Sequence, residues 1–127
     1  MEATPVVLDP TITSACGIPQ PKSFFAFDSA ILRHGDESGL SGVASCFRDG
    51  PLKGKRMEIA GRADPRGTEE YNQTLGESRA GAVSRFLTSS GVRKDTISTV
   101  STGEDLAKGT DEAGWADDRR VDIKLSE

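Results

Sequence analysis

The chain reads as an α/β protein, an α+β sandwich with two helices packed on one face of a mixed four-stranded sheet. Three observations lead there. Met57, Ile59 and Gly61, and again Val121, Ile123 and Leu125, alternate with residues of the opposite face, as half-buried strands do. Residues 37–47 and 69–90 instead repeat apolar side chains at helical spacing. Along the chain the order is strand, helix, strand, helix, strand, long loop, strand, and 127 residues make one domain with a real core but hardly two.

Composition narrows the function classes. Sixteen Lys plus Arg against twenty Asp plus Glu give a net charge of −4, which argues against general affinity for nucleic acid or anionic membranes. No apolar run approaches the ~20 residues that span a bilayer, and no signal peptide precedes residue 20. We expect a segment whose export signal has been removed or that belongs to a longer exported chain, with membrane attachment only through an anchor or fused segment outside it.

Residues 1–22 form a proline-rich lead-in, with Pro5, Pro10, Pro19 and Pro21 around the apolar patch Val6-Val7-Leu8, expected to be extended and to lay one short strand against the domain of residues 23–127. Cys16 lies in it and the other cysteine is Cys46, so one disulfide is arithmetically available; the alternative is two separate thiols, with Cys46 a small buried residue. Two Cys and one His make a poor metal set, and no cofactor is called for. Ser23 to Phe27 is a short aromatic strand ended by Asp28-Ser29, where Asp28 can turn the chain by an Asx interaction. His34 follows in a loop and has no catalytic pair.

Leu40, Val43, Ala44 and Phe47 give the first helix its face, weakened by Gly39 and Gly42, and Asp49-Gly50-Pro51 stops it. The next strand runs from near Lys53 to Gly61. The strands flanking this helix are expected to be parallel neighbours joined by a right-handed crossover. Asp64-Pro65-Arg66-Gly67 breaks the chain, and Thr68 caps a helix with Glu69 and Glu70 in its first turn. Gly91 ends that helix, Thr96 to Ser101 is a Ser- and Thr-rich strand, and 104–118 is a long loop in which Trp115 is expected to cover part of the core, the alternative being that it flanks a ligand. The last strand is Arg119 to Leu125, and Arg120 reads as half of a surface ion pair.

Two residues break the pattern of the long helix. Tyr71, Leu75, Ala82, Val83, Phe86 and Leu87 form its apolar face, yet Asn72 and Arg79 project near the middle of that face, roughly 10 Å apart along the axis. A desolvated guanidinium needs an anion. Asp64, at the carboxyl end of the preceding strand, is placed to meet Arg79, where ligand sites of sheet-and-helix proteins tend to sit. Either the two form an internal salt bridge, or each takes half of a zwitterionic ligand, its carboxylate on Arg79 and its ammonium on Asp64. A hydrolase pairing Asp64 with Glu69 or Glu70 is disfavoured, because those glutamates complement the helix dipole and no activated nucleophile accompanies them.

The residues Gly61-Arg62-Ala63-Asp64, Gly67, Asn72, Leu75, Arg79-Ala80 and Val83, with Gly103-Glu104 and Arg119-Arg120-Val121 further on, closely resemble the OmpA-like peptidoglycan-binding domain. DPRGTEEYNQTLGESRAGAV looks most like the peptidoglycan-associated lipoprotein branch, and the resemblance runs from about Ser23 to Leu125. It implies a βαβαβ-β fold, no enzymatic activity, and binding of the meso-diaminopimelate of the peptidoglycan stem. Asp64 and Arg79 would clasp its zwitterionic end, Asn72 and Asp28 would orient it, Leu75 would wall it, and Arg119 would assist at a carboxylate. Asp118 stands where the family has Asn, which leaves it to orient Arg119 or to occupy it. The resemblance further implies a Gram-negative periplasm and a role anchoring an outer-membrane component to the cell wall. The other class of function is a structural or interaction module docking a Tol-like or other envelope partner, with Asp64 and Arg79 paired internally. An oxidising periplasm would favour the Cys16–Cys46 bond, which closes a loop of about thirty residues and contributes roughly 3 to 4 kcal/mol in the chain-entropy account.

Overall fold

The computed structural model describes residues 3–20, 24–26, 38–103, 107–108, 110–111, 118 and 120–126. Asp28, His34, Glu104, Trp115 and Arg119 lie outside these residues. The described elements are β1 (Ala3–Leu8), α1 (Pro10–Cys16), β2 (Phe24–Ala26), α2 (Ser38–Asp49), β3 (Arg56–Arg62), α3 (Glu69–Ser89), β4 (Ile97–Gly103) and β5 (Val121–Ser126), with a 3-10 turn at Lys94–Thr96 before β4.

The strands lie side by side in the order β2-β1-β5-β3-β4. β1 is antiparallel to β2 and parallel to β5, β3 is antiparallel to β5, and β3 is parallel to β4, so the sheet is mixed. The α/β class holds. The four strands expected from the sequence are β2, β3, β4 and β5, and the Val6-Val7-Leu8 patch supplies a fifth between β2 and β5. One neighbour relation needs correction: β2 and β3, which flank α2, are not adjacent, because β1 and β5 lie between them. The parallel neighbours joined by a helical crossover are β3 and β4, connected through α3.

β1 earns its inner position because Val6 and Leu8 are buried and paired with Val121 and Ile123. β2 covers its outer edge only at Ala3, Thr4 and Pro5. Further along, the Gln20 side-chain amide stands in for a strand: Leu8 N–H donates to Gln20 Oε1 at 2.7 Å and Gln20 Nε2 donates to Leu8 O at 2.8 Å. α1 was not foreseen in the lead-in. Asp9 caps it by accepting from Thr11 N–H at 3.0 Å, Pro10 fills the first turn where no N–H is needed, and Gly17 ends it at φ 64°.

Ile12 of α1, Leu40, Val43, Ala44 and Phe47 of α2, and Ala80, Val83 and Leu87 of α3 join Met57, Ile59, Val121 and Ile123 of the sheet in one core. A disulfide links Cys16 at the end of α1 to Cys46 in α2, with Cα atoms 5.7 Å apart. Arg48 ties the ends of the two longer helices together, its Nη1 donating to Ser90 O at 2.8 Å.

The contact that places the site is between α3 and β3. A Cβ at Gly61 would overlap the carbonyl of Gly76, and a Cβ at Gly76 would overlap the Ser101 hydroxyl, so helix and strand touch backbone to backbone. Gln73 fastens the same helical turn to β4, where its Nε2 donates to Ser101 O at 2.7 Å and Ser101 Oγ donates to Gln73 O at 2.8 Å.

A candidate ligand cleft at the end of β3

Strand β3 ends at Arg62, and the chain runs on through Ala63 and Asp64 before turning into α3. Arg62 N–H donates to Arg120 O at 2.8 Å and Ala63 N–H to Gly103 O at 2.7 Å, so neighbouring chain segments on both sides hold this exit. The register of β3 against β4 shifts between Gly61 and Arg62, the bulge that re-aims the chain toward the helix.

Thr68 caps α3 as expected, accepting from Tyr71 N–H at 3.1 Å, and Glu69 and Glu70 occupy the first turn. Asn72 and Arg79 both point inward, with exposures of 2% and 0%. Arg79 Nη1 donates to Arg62 O at 3.3 Å, and Asn72 Nδ2 donates to Arg66 O at 2.9 Å. Asp64 is 3% exposed. Its Oδ1 accepts the Arg66 backbone N–H at 3.0 Å, the Asx turn that Asp-Pro-Arg-Gly favours.

Asp64, Asn72, Leu75 and Arg79 line one concavity together with Ala63, Arg66 and Tyr71. Its free volume is about 10 Å³, hardly more than one water molecule takes. Asp28 and Arg119 fall outside the described residues.

Two members of the cleft escaped the sequence reading. Arg66 forms an ion pair with Asp64, its Nε donating to Oδ1 at 3.1 Å and its Nη2 to Oδ2 at 2.8 Å. The signal was the two-residue spacing in the turn, which returns a side chain over the carboxylate that accepts its own N–H. Tyr71 was assigned to the buried face of α3, yet it is 47% exposed and stands at the rim. The buried stripe is Asn72, Gly76, Arg79, Ala80, Val83 and Leu87.

A second charged cluster sits beside the first. Asp122 on β5, nearly buried, lies 2.8 Å from Arg62 Nε and 3.0 Å from Arg120 Nε. Arg120 is therefore in a partly buried ion pair rather than the exposed one expected. Asp118 is buried, and its Oδ1 accepts Lys108 N–H at 2.9 Å, so its carboxylate holds the backbone at Lys108.

A family model described as the OmpA family matches residues 24–121. The peptidoglycan-associated lipoprotein of Pseudomonas putida is 40% identical over 103 residues, 80% of this chain and 60% of that protein, so the chain spans about 60% of the length of this curated relative. Among solved structures, the peptidoglycan-associated lipoprotein from Burkholderia pseudomallei matches with a TM-score of 0.74 at 37% identity, covering 82% of this chain and 88% of that one. The cell wall anchor of the T6SS from Pseudomonas aeruginosa matches with a TM-score of 0.61 at 28% identity, covering 78% and 71%. With a family match running from β2 into β5 and across the cleft, the chain belongs to the OmpA family.

Proposed function

We propose that this domain binds peptidoglycan without chemistry, through the meso-diaminopimelate of the stem peptide, and so anchors an outer-membrane component to the cell wall from the periplasm of a Gram-negative bacterium. The observation that carries the reading is that a buried guanidinium, Arg79, and a buried carboxylate, Asp64, line the same cleft at the end of β3. An amino acid zwitterion presents the complementary pair of charges. Arg79 takes the ligand carboxylate, Asp64 the ammonium, Asn72 fixes orientation and Leu75 forms an apolar wall; Asp28 and Arg119, outside the described residues, are proposed as further ligand contacts from the family resemblance. The names of the relatives, peptidoglycan-associated lipoproteins and a cell wall anchor, support the same assignment.

Calorimetric titration with a diaminopimelate-containing stem fragment tests it. Saturable binding is expected in the wild type and its loss in Arg79→Ala and Asp64→Ala, each still folded by circular dichroism. Unchanged binding by both variants overturns the assignment.

A second reading draws on the Asp64–Arg66 pair, since a carboxylate already matched by a guanidinium suits a cleft whose charges serve the fold. The domain then docks a Tol-like or other envelope protein through its surface, with Asp64 and Arg79 also paired internally. Unfolding of both alanine variants favours it.

A further inference from the structure

Strand β4 lies at one edge of the sheet and pairs, among the described residues, with β3 alone. Edge strands are commonly guarded by shortness, charge, proline or a bulge, because their outer row of backbone N–H and C=O groups invites a further strand. The opposite edge follows that rule, since β2 is three residues long. β4 does not: it has seven residues, ISTVSTG, with no charge and no proline. Its register against β3 runs unbroken from Ile97 opposite Met57 to Ser101 opposite Gly61, and the shift comes only beyond that point. Ser98, Thr99 and Val100 are exposed, Val100 at 40%. A β-branched apolar side chain thus stands in water at the midpoint of an unguarded strand.

We propose that β4 is an interface on which two copies of this chain pair edge to edge, antiparallel about a two-fold axis through Val100, joining their sheets into one. The strand's own sequence identifies the occupant, because an isologous contact needs a self-complementary patch. Turned about Val100, β4 overlaps its copy over its whole length: Val100 faces Val100, Ser98 faces Thr102, Thr99 faces Ser101, and Ile97 faces Gly103. Apolar meets apolar, hydroxyl meets hydroxyl, and no like charges are set opposite each other. Either neighbouring two-fold register puts Val100 against Ser98 or Thr102 and shortens the overlap. The hydroxyls of Ser98 and Thr102 are only loosely held at present, by Met57 O at 3.4 Å and Gly61 O at 3.5 Å, distances at the outer limit of hydrogen bonding. A single seven-residue edge is a small contact, so the dimer is weak and exchanging, with a dissociation constant on the order of 0.1 to 1 mM. The pairing does not depend on which ligand the cleft takes.

Amide NMR spectra of the isotope-labelled chain between about 0.05 and about 1 mM, with sedimentation equilibrium over the same range, test the proposal. The wild type is expected to show a monomer–dimer equilibrium, with concentration-dependent shifts centred on Ile97–Gly103. Val100→Lys, at a position exposed enough to leave the fold intact, sets two ammonium groups against each other on the axis and should weaken the dimer at least about tenfold. Ser14→Lys adds the same charge at an exposed position of α1 and should leave the equilibrium unchanged. A wild type that stays monomeric, with β4 amides that do not move, overturns the proposal and leaves the edge to a different partner. A dimer whose shifts lie away from β4, or that Val100→Lys and Ser14→Lys weaken equally, overturns it as well.

Discussion

Substituting Gly61 by alanine probes whether the cleft depends on the close approach of α3 to β3. A methyl group there overlaps the carbonyl of Gly76, a backbone atom in the middle of a 21-residue helix that no side-chain rotation can move. Relief requires helix and strand to part by more than about 1 Å before ordinary contact is regained. That movement stretches the paired Gln73–Ser101 bonds, now at 2.7 and 2.8 Å, and the Arg79–Arg62 contact, already at 3.3 Å. Overpacking of this kind costs typically 1–3 kcal/mol, and the rigid backbone on both sides puts Gly61→Ala near the upper end, about 3 kcal/mol. At about 4 °C per kcal/mol for a domain of this size, the melting temperature falls by roughly 12 °C. Urea denaturation monitored by circular dichroism measures the loss directly, and stem-peptide affinity should fall in the same variant under conditions where it remains folded. Gly76→Ala is the comparison. Its methyl group overlaps the Ser101 hydroxyl and comes within 2.9 Å of Gly61 O, a milder backbone clash than the one at Gly61, and it gains up to about 1 kcal/mol of helix propensity, so it should cost less. An urea midpoint for Gly61→Ala equal to the wild type would refute the backbone-contact argument.

Two further outcomes test the scaffold. Reducing the Cys16–Cys46 bond, or replacing both residues by serine, should cost about 3 kcal/mol, because the bond closes a loop with a sequence separation of 30; equal urea midpoints with and without reductant would contradict it. Thr68→Ala removes the oxygen that accepts Tyr71 N–H and should cost about 1 kcal/mol, measured by the same denaturation, while Thr68→Ser should be close to neutral.

What the sequence made legible divides along local and non-local lines. Asn72 and Arg79 could be placed inward because a 3.6-residue period fixes direction once the helix is granted, and both are buried. Tyr71 could not. The centre of the buried stripe is marked by Gly76, which has no side chain to announce it, so the apolar centroid was drawn toward Tyr71, Leu75, Ala82 and Phe86. On the wheel Tyr71 lies about 130° from the true centre, which is why it is exposed. Helix α1 was written in Asp9-Pro10, a cap followed by proline in the first turn, but four prolines in the lead-in suggested extended chain instead. The insertion of β1 between β2 and β5 had no local signature, since Val6 and Leu8 declare a buried strand without naming its neighbours.

The glycine pair and the buried arginine are parts of one device. Side chains on a helix slant toward its N-terminus, so Arg79, one turn beyond Gly76, reaches back to the level where helix and strand touch. The strand residue following Gly61 is Arg62, and its carbonyl is the acceptor that Arg79 finds. Had either glycine carried a side chain, the helix would stand off and the guanidinium would fall short of the strand end, leaving a buried cation several kcal/mol worse placed. The same contact aligns Asn72, one turn before Gly76, with the loop that carries Asp64 and Arg66. Two residues without side chains thus determine where three charged ones meet, and this is why the cleft should fail in Gly61→Ala although Gly61 does not line it.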